Sequence, residues 1–266
     1  DVVIALHRDS GGSLDVLVRI CNRNAVKIHV IPDYFKFLSG RFQISTVSNL
    51  PVITIRDEPL NEVIRRFVKR VFDVFFSSFI MIFILSWFIP LASLLIRLDS
   101  RGPAFFVQER IGMRRKPFKC YKFRTLTFSN RKSLEIELVI KEDPRVTRVG
   151  GFLRKTNLDE LPQFINVLIG DMSVVGPRPH PFGFEKEYEK VFEDIKMRYN
   201  VRPGITGWAQ INGLRGDVQN AEENKQRILE RMKYDLWYIE NWSIMLDIQI
   251  ILLTVWQMLK GDNKGF

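Results

Sequence analysis

The chain has 266 residues, a formal net charge of +10 and 46% hydrophobic residues. That length allows one large or two modest domains, and the positive balance calls for a polyanionic neighbour: nucleic acid, anionic lipid or a phosphorylated substrate. Cys21 and Cys120 make neither a disulfide nor a metal-ligand pattern, which points to a reducing compartment, and His7, His29 and His180 are too scattered for a histidine metal site.

Val2–Leu6 is a buried-strand pattern, and the chain starts at Asp1 directly with it, which reads as a cut through a larger protein. The run Leu14, Val16, Leu17, Val18, Ile20 predicts a helix, and Val26–Ile31 and Pro51–Ile55 predict two more strands. Together they suggest a βαβ-type unit with parallel strands over residues 1–60. Gly11-Gly12 follows the first strand, but the G-x-G-x-x-G fingerprint is missing, so dinucleotide binding is not supported.

Residues 61–101 hold a basic segment, Arg65, Arg66, Lys69 and Arg70, and then an apolar run from Val74 to Ile96 broken by serines and by Pro90. A straight helix of that length just crosses a hydrocarbon core of ~30 Å. Pro90 should kink it, with Ser86 and Ser93 covering the freed carbonyls, and basic residues on both flanks (Arg97, Arg101 and Arg110 on the far side) place both ends on the cytoplasmic side. A helix that enters and turns back in one leaflet satisfies both features.

From Gly102 the pattern is mixed. Ala104–Val107 and Phe118–Phe123 read as strands around a basic turn, Glu135–Glu142 as a charged segment, and Glu185–Arg198 as a solvated helix. The stretch from Arg202 to Gly213 has a Gly and Pro density that argues against regular helix and suits close approach to a ligand. Glu222–Trp242 is a helix rich in aromatic residues, and Ile244–Leu259 an apolar helix with Asp247, Thr254 and Gln257 near one face, short for spanning and suited to an interface.

The chemistry concentrates in Thr156–Pro179. Asp159 and Glu160 stand ahead of Pro162 and an apolar helical run, with Thr156 and Asn157 as capping residues, so both carboxylates should lie at a helix N-terminus, whose partial charge favours their ionised forms. Alone, the pair could merely complement a helix dipole. Arg154, Arg178 and the strand bearing Lys122 surround it, and carboxylates among fixed cations suit a site for Mg²⁺ and phosphate.

The motifs KRVFD (Lys69–Asp73), KFRT (Lys122–Thr125), LDELPQ (Leu158–Gln163), GDMSVVGPRP (Gly170–Pro179) and RPGITGWAQING (Arg202–Gly213), in this order, resemble the bacterial sugar transferase family. These are the monotopic phosphoglycosyl transferases that start glycan assembly on polyprenyl phosphate. PRPH (Pro177–His180) and INGLRG (Ile211–Gly216) are similar to the exopolysaccharide, colanic-acid-type subgroup that transfers glucose 1-phosphate, although Leu214 stands where its members often have Trp.

The resemblance implies an α+β fold: a membrane-associated catalytic domain over 102–266 with a re-entrant helix in 61–101, preceded by the C-terminal part of a Rossmann-like α/β domain in 1–60. It implies Asp159 as the nucleophile on a UDP-sugar and as a Mg²⁺ ligand, with Glu160 beside it as a second catalytic group. Lys122, Arg124, Arg154, Arg178 and Arg202 would bind phosphate or nucleotide, and Pro90 would bend the membrane helix. Undecaprenyl phosphate would be the acceptor, at the cytoplasmic face of a bacterial inner membrane. UDP-galactose as donor, a nucleotide-sugar hydrolase, and a homo-oligomer are alternatives the residues leave open. Nucleic acid is not expected as a partner, because no groove-reading motif is present.

Overall fold

In the computed structural model of the protein, the residues described are 2–5, 11–24, 26–31, 43–47, 50–54, 58–128, 143–181, 193–216, 218 and 220–261. They divide into two compact units, residues 1–57 and 58–266. The predicted charged segment at 135–142 and most of the predicted helix at 185–198 lie outside the described residues.

In the first unit, β1 (Val2–Ala5) and β2 (Ile28–Ile31) pair in parallel through the crossover helix α1 (Gly11–Arg23). The third predicted strand does not join them. Residues Leu50–Thr54 (β4) pair antiparallel with Gln43–Val47 (β3), a strand whose polar Gln, Ser and Thr hid it in the sequence. Two residues separate β3 from β4, enough for a hairpin and far too few for a parallel crossover.

The second unit opens with one long helix, α2 (Val63–Ile80), a π-type turn (Met81–Leu85) and α3 (Ser86–Asp99) without a break between them. Pro90 sits inside α3, one turn after the π segment. Such turns are a known cause of helix bends, as is proline. Ser86 Oγ donates to the Ile82 carbonyl at 2.6 Å, within the π segment. The expected help from Ser93 is not found, since its buried hydroxyl has no hydrogen-bond partner among the described residues.

The first half of this helix is polar inside, and its outward face is largely apolar. Its buried positions Lys69, Asp73, Ser77, Leu85, Ala92 and Ile96 recur at three-to-four-residue multiples, so one stripe lies against the unit along the whole length. Outward-facing Ile64, Phe75 and Leu98 are each 75% exposed or more. Lys69 Nζ meets the Asp247 carboxylate at 2.7 Å, and Asp73 accepts from Ser173 Oγ and the Val174 amide, both at 3.0 Å. Arg70 donates to the carbonyls of Val167 and Leu168 at 2.6 and 2.9 Å. Lys69 and Arg70, expected as flanking cations, are therefore internal ties.

The rest of the unit packs along that stripe. β5 (Phe105–Ile111) and β6 (Pro117–Phe123) form an antiparallel hairpin, and β7 (Ser173–Val175) pairs in parallel with β8 (Gly204–Thr206). Between the two sheets come α4 (Arg148–Lys155) and α5 (Gln163–Ile169). After β8 follow a single turn α6 (Trp208–Ile211), then α7 (Ala221–Glu240) and α8 (Ile244–Lys260). Asn220 caps α7 by accepting from two amides and Ser243 caps α8, each cap contributing on the order of 1 kcal/mol.

In the 202–213 stretch Gly204 and Gly207 serve backbone packing, while Gly213 lines a cavity. A Cβ on Gly204 would stand 2.1 Å from the Gly176 nitrogen, and one on Gly207 would stand 2.3 Å from the Gly176 oxygen. Only glycine lets the two segments approach this closely. The main core joins Leu85, Phe118, Phe164, Val167, Met172, Tyr238 and Ile250, so long helix, hairpin, α5 and α8 share one interior. In α8 three polar residues face inward: Asp247 is fully buried, Thr254 meets Thr206 at 2.7 Å, and Gln257 donates to the Ile211 carbonyl at 2.8 Å. Its apolar Met245, Leu252, Trp256 and Leu259 face out.

Candidate active site

Asp159 and Glu160 lie in a short 3₁₀ turn, Leu158–Glu160, between α4 and α5. The expected caps do different work. Thr156 Oγ1 closes the end of α4 by donating to the Phe152 carbonyl at 2.8 Å. Asn157 adopts the left-handed conformation (φ 56°) that turns the chain, and its side-chain oxygen accepts from Arg215. Asparagine tolerates this conformation better than most residues. Pro162 precedes α5 at its N-cap, so the pair does stand just ahead of that helix.

Glu160 is the hub. It is only 4% exposed, and both carboxylate oxygens are taken. Oε1 accepts from Lys122 Nζ and Arg178 Nη2, each at 2.7 Å, and Oε2 accepts from Arg178 Nη1 at 3.1 Å and Arg215 Nη2 at 2.8 Å. Burial by itself would raise its carboxyl, but Arg178, Lys122 and Arg215 outweigh that and hold it well below the usual carboxylate range. Hydrogen bonds to ionised groups carry roughly 1.5–3 kcal/mol each, which explains how a charge is kept in so enclosed a place.

Asp159 is the opposite. Among the described residues no hydrogen bond reaches its half-buried carboxylate. Burial and the neighbouring Glu160 charge push its carboxyl above the ordinary 3.8, against Lys122, Arg215 and Arg154. The helix end therefore does not govern its charge; enclosure and its acidic neighbour do. Arg154 stands in the field of Asp159 and donates to Thr125 Oγ1 at 2.7 Å. Four cations, Lys122, Arg154, Arg178 and Arg215, thus face two carboxylates, leaving a surplus of two positive charges. Such a surplus in a partly desolvated place invites a phosphate or diphosphate.

Arg178 is itself held from behind. Arg198 donates to the Arg178 carbonyl and to Asp235, both at 2.8 Å, and contacts His180, while Arg110 donates to the Pro179 carbonyl at 2.8 Å. Burial and the arginines around it keep the His180 imidazole neutral, well below its usual value.

Two expected phosphate ligands are not in this cluster. Arg124 is buried, and its guanidinium donates to the carbonyls of Arg101 at 2.6 Å, Ser100 at 2.8 Å and Ile96 at 3.3 Å, tying down the end of α3. Arg202 donates to the Gly170 carbonyl at 2.8 Å, beside Arg70, at the C-terminal end of α5, opposite the end where Glu160 lies. A helix C-terminus offers unpaired carbonyls and negative dipole, so guanidinium groups settle there. Arg215, which no local pattern marks, belongs to the site instead. Its signal was the INGLRG motif, and nothing local separated it from any other arginine.

The donor set fits a substrate-borne magnesium ion. Asp159 has both oxygens open, and Mg²⁺ is commonly held by one or two carboxylates plus substrate phosphates. Among the described residues no group of three His, Cys, Asp or Glu side chains forms an all-protein cage. Beside the cluster opens a cavity of about 570 Å³. Leu158 and Glu160, on either side of Asp159, line it, as do Phe76, Ile80, Ile251 and Val255 from the two outward-apolar helices.

Sequence comparison decides the family. The model of the bacterial sugar transferases matches residues 64–261. The chain belongs to the bacterial sugar transferase family. It is 40% identical over 261 residues to the UDP-glucose:undecaprenyl-phosphate glucose-1-phosphate transferase of Escherichia coli K12, covering 97% of this chain and 54% of that protein. It is 43% identical over 202 residues to the exopolysaccharide production protein PSS of Rhizobium leguminosarum, covering 75% of this chain and 98% of that protein. A third relative, a UDP-N-acetylgalactosamine-undecaprenyl-phosphate N-acetylgalactosaminephosphotransferase of Aeromonas hydrophila, is 34% identical over 263 residues, with 98% and 59% covered. The chain spans about half the length of the glucose-1-phosphate transferases of Escherichia coli, Klebsiella pneumoniae and Xanthomonas campestris that it matches. The PSS match, by contrast, takes in nearly all of that protein.

Proposed function

We propose that the chain transfers glucose 1-phosphate from UDP-glucose to undecaprenyl phosphate and so begins exopolysaccharide assembly. The observation that carries this reading is an uncommitted carboxylate, Asp159, within a cluster that holds two more cations than carboxylates and borders an apolar cavity. In the first step an Asp159 oxygen bonds to the β-phosphorus. The bond from that phosphorus to the bridging oxygen breaks, and UMP leaves with the bridging oxygen and its electron pair. In the second step a phosphate oxygen of the lipid attacks the same phosphorus and the Asp159 carboxylate departs. Arg178, Lys122 and Arg154 hold phosphoryl oxygens in place, and Glu160 fixes the cations so that little reorganisation is needed as charge moves. Asp159 is the residue that would hold Mg²⁺, which when bound neutralises charge on the diphosphate.

We further place the helix 63–99 in the cytoplasmic leaflet without crossing the bilayer, and the first unit as the end of a Rossmann-like domain. At ~1.5 Å per residue the 37-residue helix is about 55 Å long, far more than a hydrocarbon core of ~30 Å needs. What supports the re-entrant reading is the stripe from Lys69 to Ile96, which binds both ends to one compact unit while the apolar face stays outside. Single cysteines replacing the exposed Arg66 and Arg101, with Cys21 and Cys120 removed, should react with an impermeant thiol reagent from the cytoplasmic side alone. Labelling of the two from opposite sides would overturn the placement.

The activity is tested by following UMP. Without lipid, UDP-glucose should give one burst of UMP per enzyme, and undecaprenyl phosphate should turn the burst into turnover. Asp159→Asn should abolish both, and excess EDTA should suppress both. Continuous sugar-phosphate release without lipid would make the protein a hydrolase instead.

A further inference from the structure

The cations around Glu160 separate into two groups by what else they face. Lys122 reaches the carboxylate from β6 and Arg178 from the segment after β7, and neither lines the apolar cavity. Arg215 does line it, as the one cationic side chain among the described lining residues. Its other partner is Asn157, which lines the cavity too. The walls beyond them are the π-segment end of the long helix, through Ile80 and Ile84, and α8, through Ile251, Val255 and Met258. These same helices turn exposed apolar residues outward. The cavity therefore has a cation at the catalytic end and hydrocarbon walls towards the face that the proposed function sets against the bilayer.

A largely apolar cavity with one cation at the reacting end is complementary to an amphiphile with an anionic head. We infer that Arg215 is the acceptor-side phosphate ligand: it binds the phosphate of the polyprenyl acceptor, while Lys122 and Arg178 serve the nucleotide donor. This rests on the reading of the protein as a lipid-phosphate sugar-phosphate transferase. A cavity of about 570 Å³ takes a ligand of ordinary small-molecule size, so it holds the first isoprene units and leaves the remaining chain in the bilayer.

The bonding pattern allows Arg215 to change partners. Arg178 grips both Glu160 oxygens, at 2.7 and 3.1 Å, a forked contact that is costly to open. Arg215 makes a single bond to Glu160, at 2.8 Å, and its other arm goes to the neutral Asn157 amide. If Arg215 swings to an incoming phosphate, Glu160 still has Lys122 and Arg178, so no buried charge is left unpaired. Asn157, one residue before the turn that carries Asp159, is the positioning residue that keeps the guanidinium at the cavity mouth.

Separating the half-reactions tests this. Exchange of labelled UMP into UDP-glucose, without lipid, reads the donor step in the full-length protein. Turnover against varied undecaprenyl phosphate, and against a two-isoprene analogue, reads the acceptor step. Arg215→Gln should raise the KM for both lipids by about tenfold to a hundredfold, the loss of one charge-assisted bond. UMP exchange should fall by a much smaller factor. Arg215→Lys should recover part of the lipid KM, and Asn157→Gly, which keeps the turn, should raise it several-fold; these two variants carry the test if Arg215→Gln does not fold. An equal fall in exchange and in lipid turnover would assign Arg215 to the donor, and an unchanged lipid KM in the lysine and glycine variants would remove it from acceptor binding. Wild-type protein that forms lipid product without UMP exchange would instead overturn the covalent two-step reading, leaving the lipid KM comparison to judge Arg215.

Discussion

The two ends of the short helix α5 carry the same kind of residue and do opposite things with it. At the N-terminal end Lys122, Arg178 and Arg215 converge on one carboxylate, Glu160, with Asp159 left open beside them. At the C-terminal end Arg70 and Arg202 donate to the carbonyls of Val167, Leu168 and Gly170. The first arrangement keeps surplus charge and can recruit an anion. The second satisfies the helix end and has little left to offer. A cation's chemistry here is set by the groups it faces.

The largest expected effect comes from removing the hub. Glu160→Gln leaves three cations facing an amide, and loss of one member of a buried charge cluster costs roughly 3–5 kcal/mol. A clearly lowered melting temperature should accompany a fall in turnover of more than about a hundredfold, on the scale of losing one electrostatic stabiliser of the transition state. Near wild-type melting and turnover would show that the cations do not depend on Glu160 for position.

A paired substitution sharpens the contrast. Arg178→Lys breaks the forked contact and should lower kcat/KM for UMP release by about tenfold to a hundredfold. Arg202→Lys should act on the fold alone, lowering stability by about 1 kcal/mol through its bond to Gly170 with kcat/KM near wild type. If the Arg202 variant lost activity without losing stability, the division between the two ends would fail.

The smallest effect is in pH dependence, where the adjacent carboxylates have opposite signs. Burial and Glu160 raise the Asp159 carboxyl, so the acidic limb of UMP release should fall above 3.8, where a free aspartate would put it. Glu160 is held below its unfolded value of 4.5 by Arg178, Lys122 and Arg215, burial opposing them. As pH falls the unfolded chain takes up that proton first. The stability Glu160 supplies is complete above 4.5 and is lost below it, towards the lower folded value. Activity should thus decline at a higher pH than the fold does, as measured by a UMP pH profile beside acid melts. Loss of both together would mean that acid inactivation is unfolding.

Much of the architecture was legible because it rests on local pattern. The helix–strand alternation of residues 2–31, the long apolar helix, the hairpin β5–β6 and the two C-terminal helices follow from hydrophobic periodicity. The pairing of β4 with β3 was hidden by a polar strand. The roles of Arg124, Arg202 and Arg215 were not legible, since each is an arginine whose partner stands dozens of residues away. The inversion of the long helix was half visible. Its apolar content showed in the sequence, but that Lys69 and Asp73 would be its inward face did not.

The sequence by itself determined the long helix, the β5–β6 strands, the C-terminal helices, the family and the Asp-Glu pair, because these depend on short spacings and on side-chain types that the chain states directly. The tertiary structure decided which carboxylate is neutralised and which is open. Glu160 and Asp159 are neighbours of nearly equal chemistry, and only the approach of Lys122, Arg178 and Arg215 from three distant segments distinguishes them. Ion pairing inside a protein depends on distance and exclusion of water, and both are set when the chain has folded.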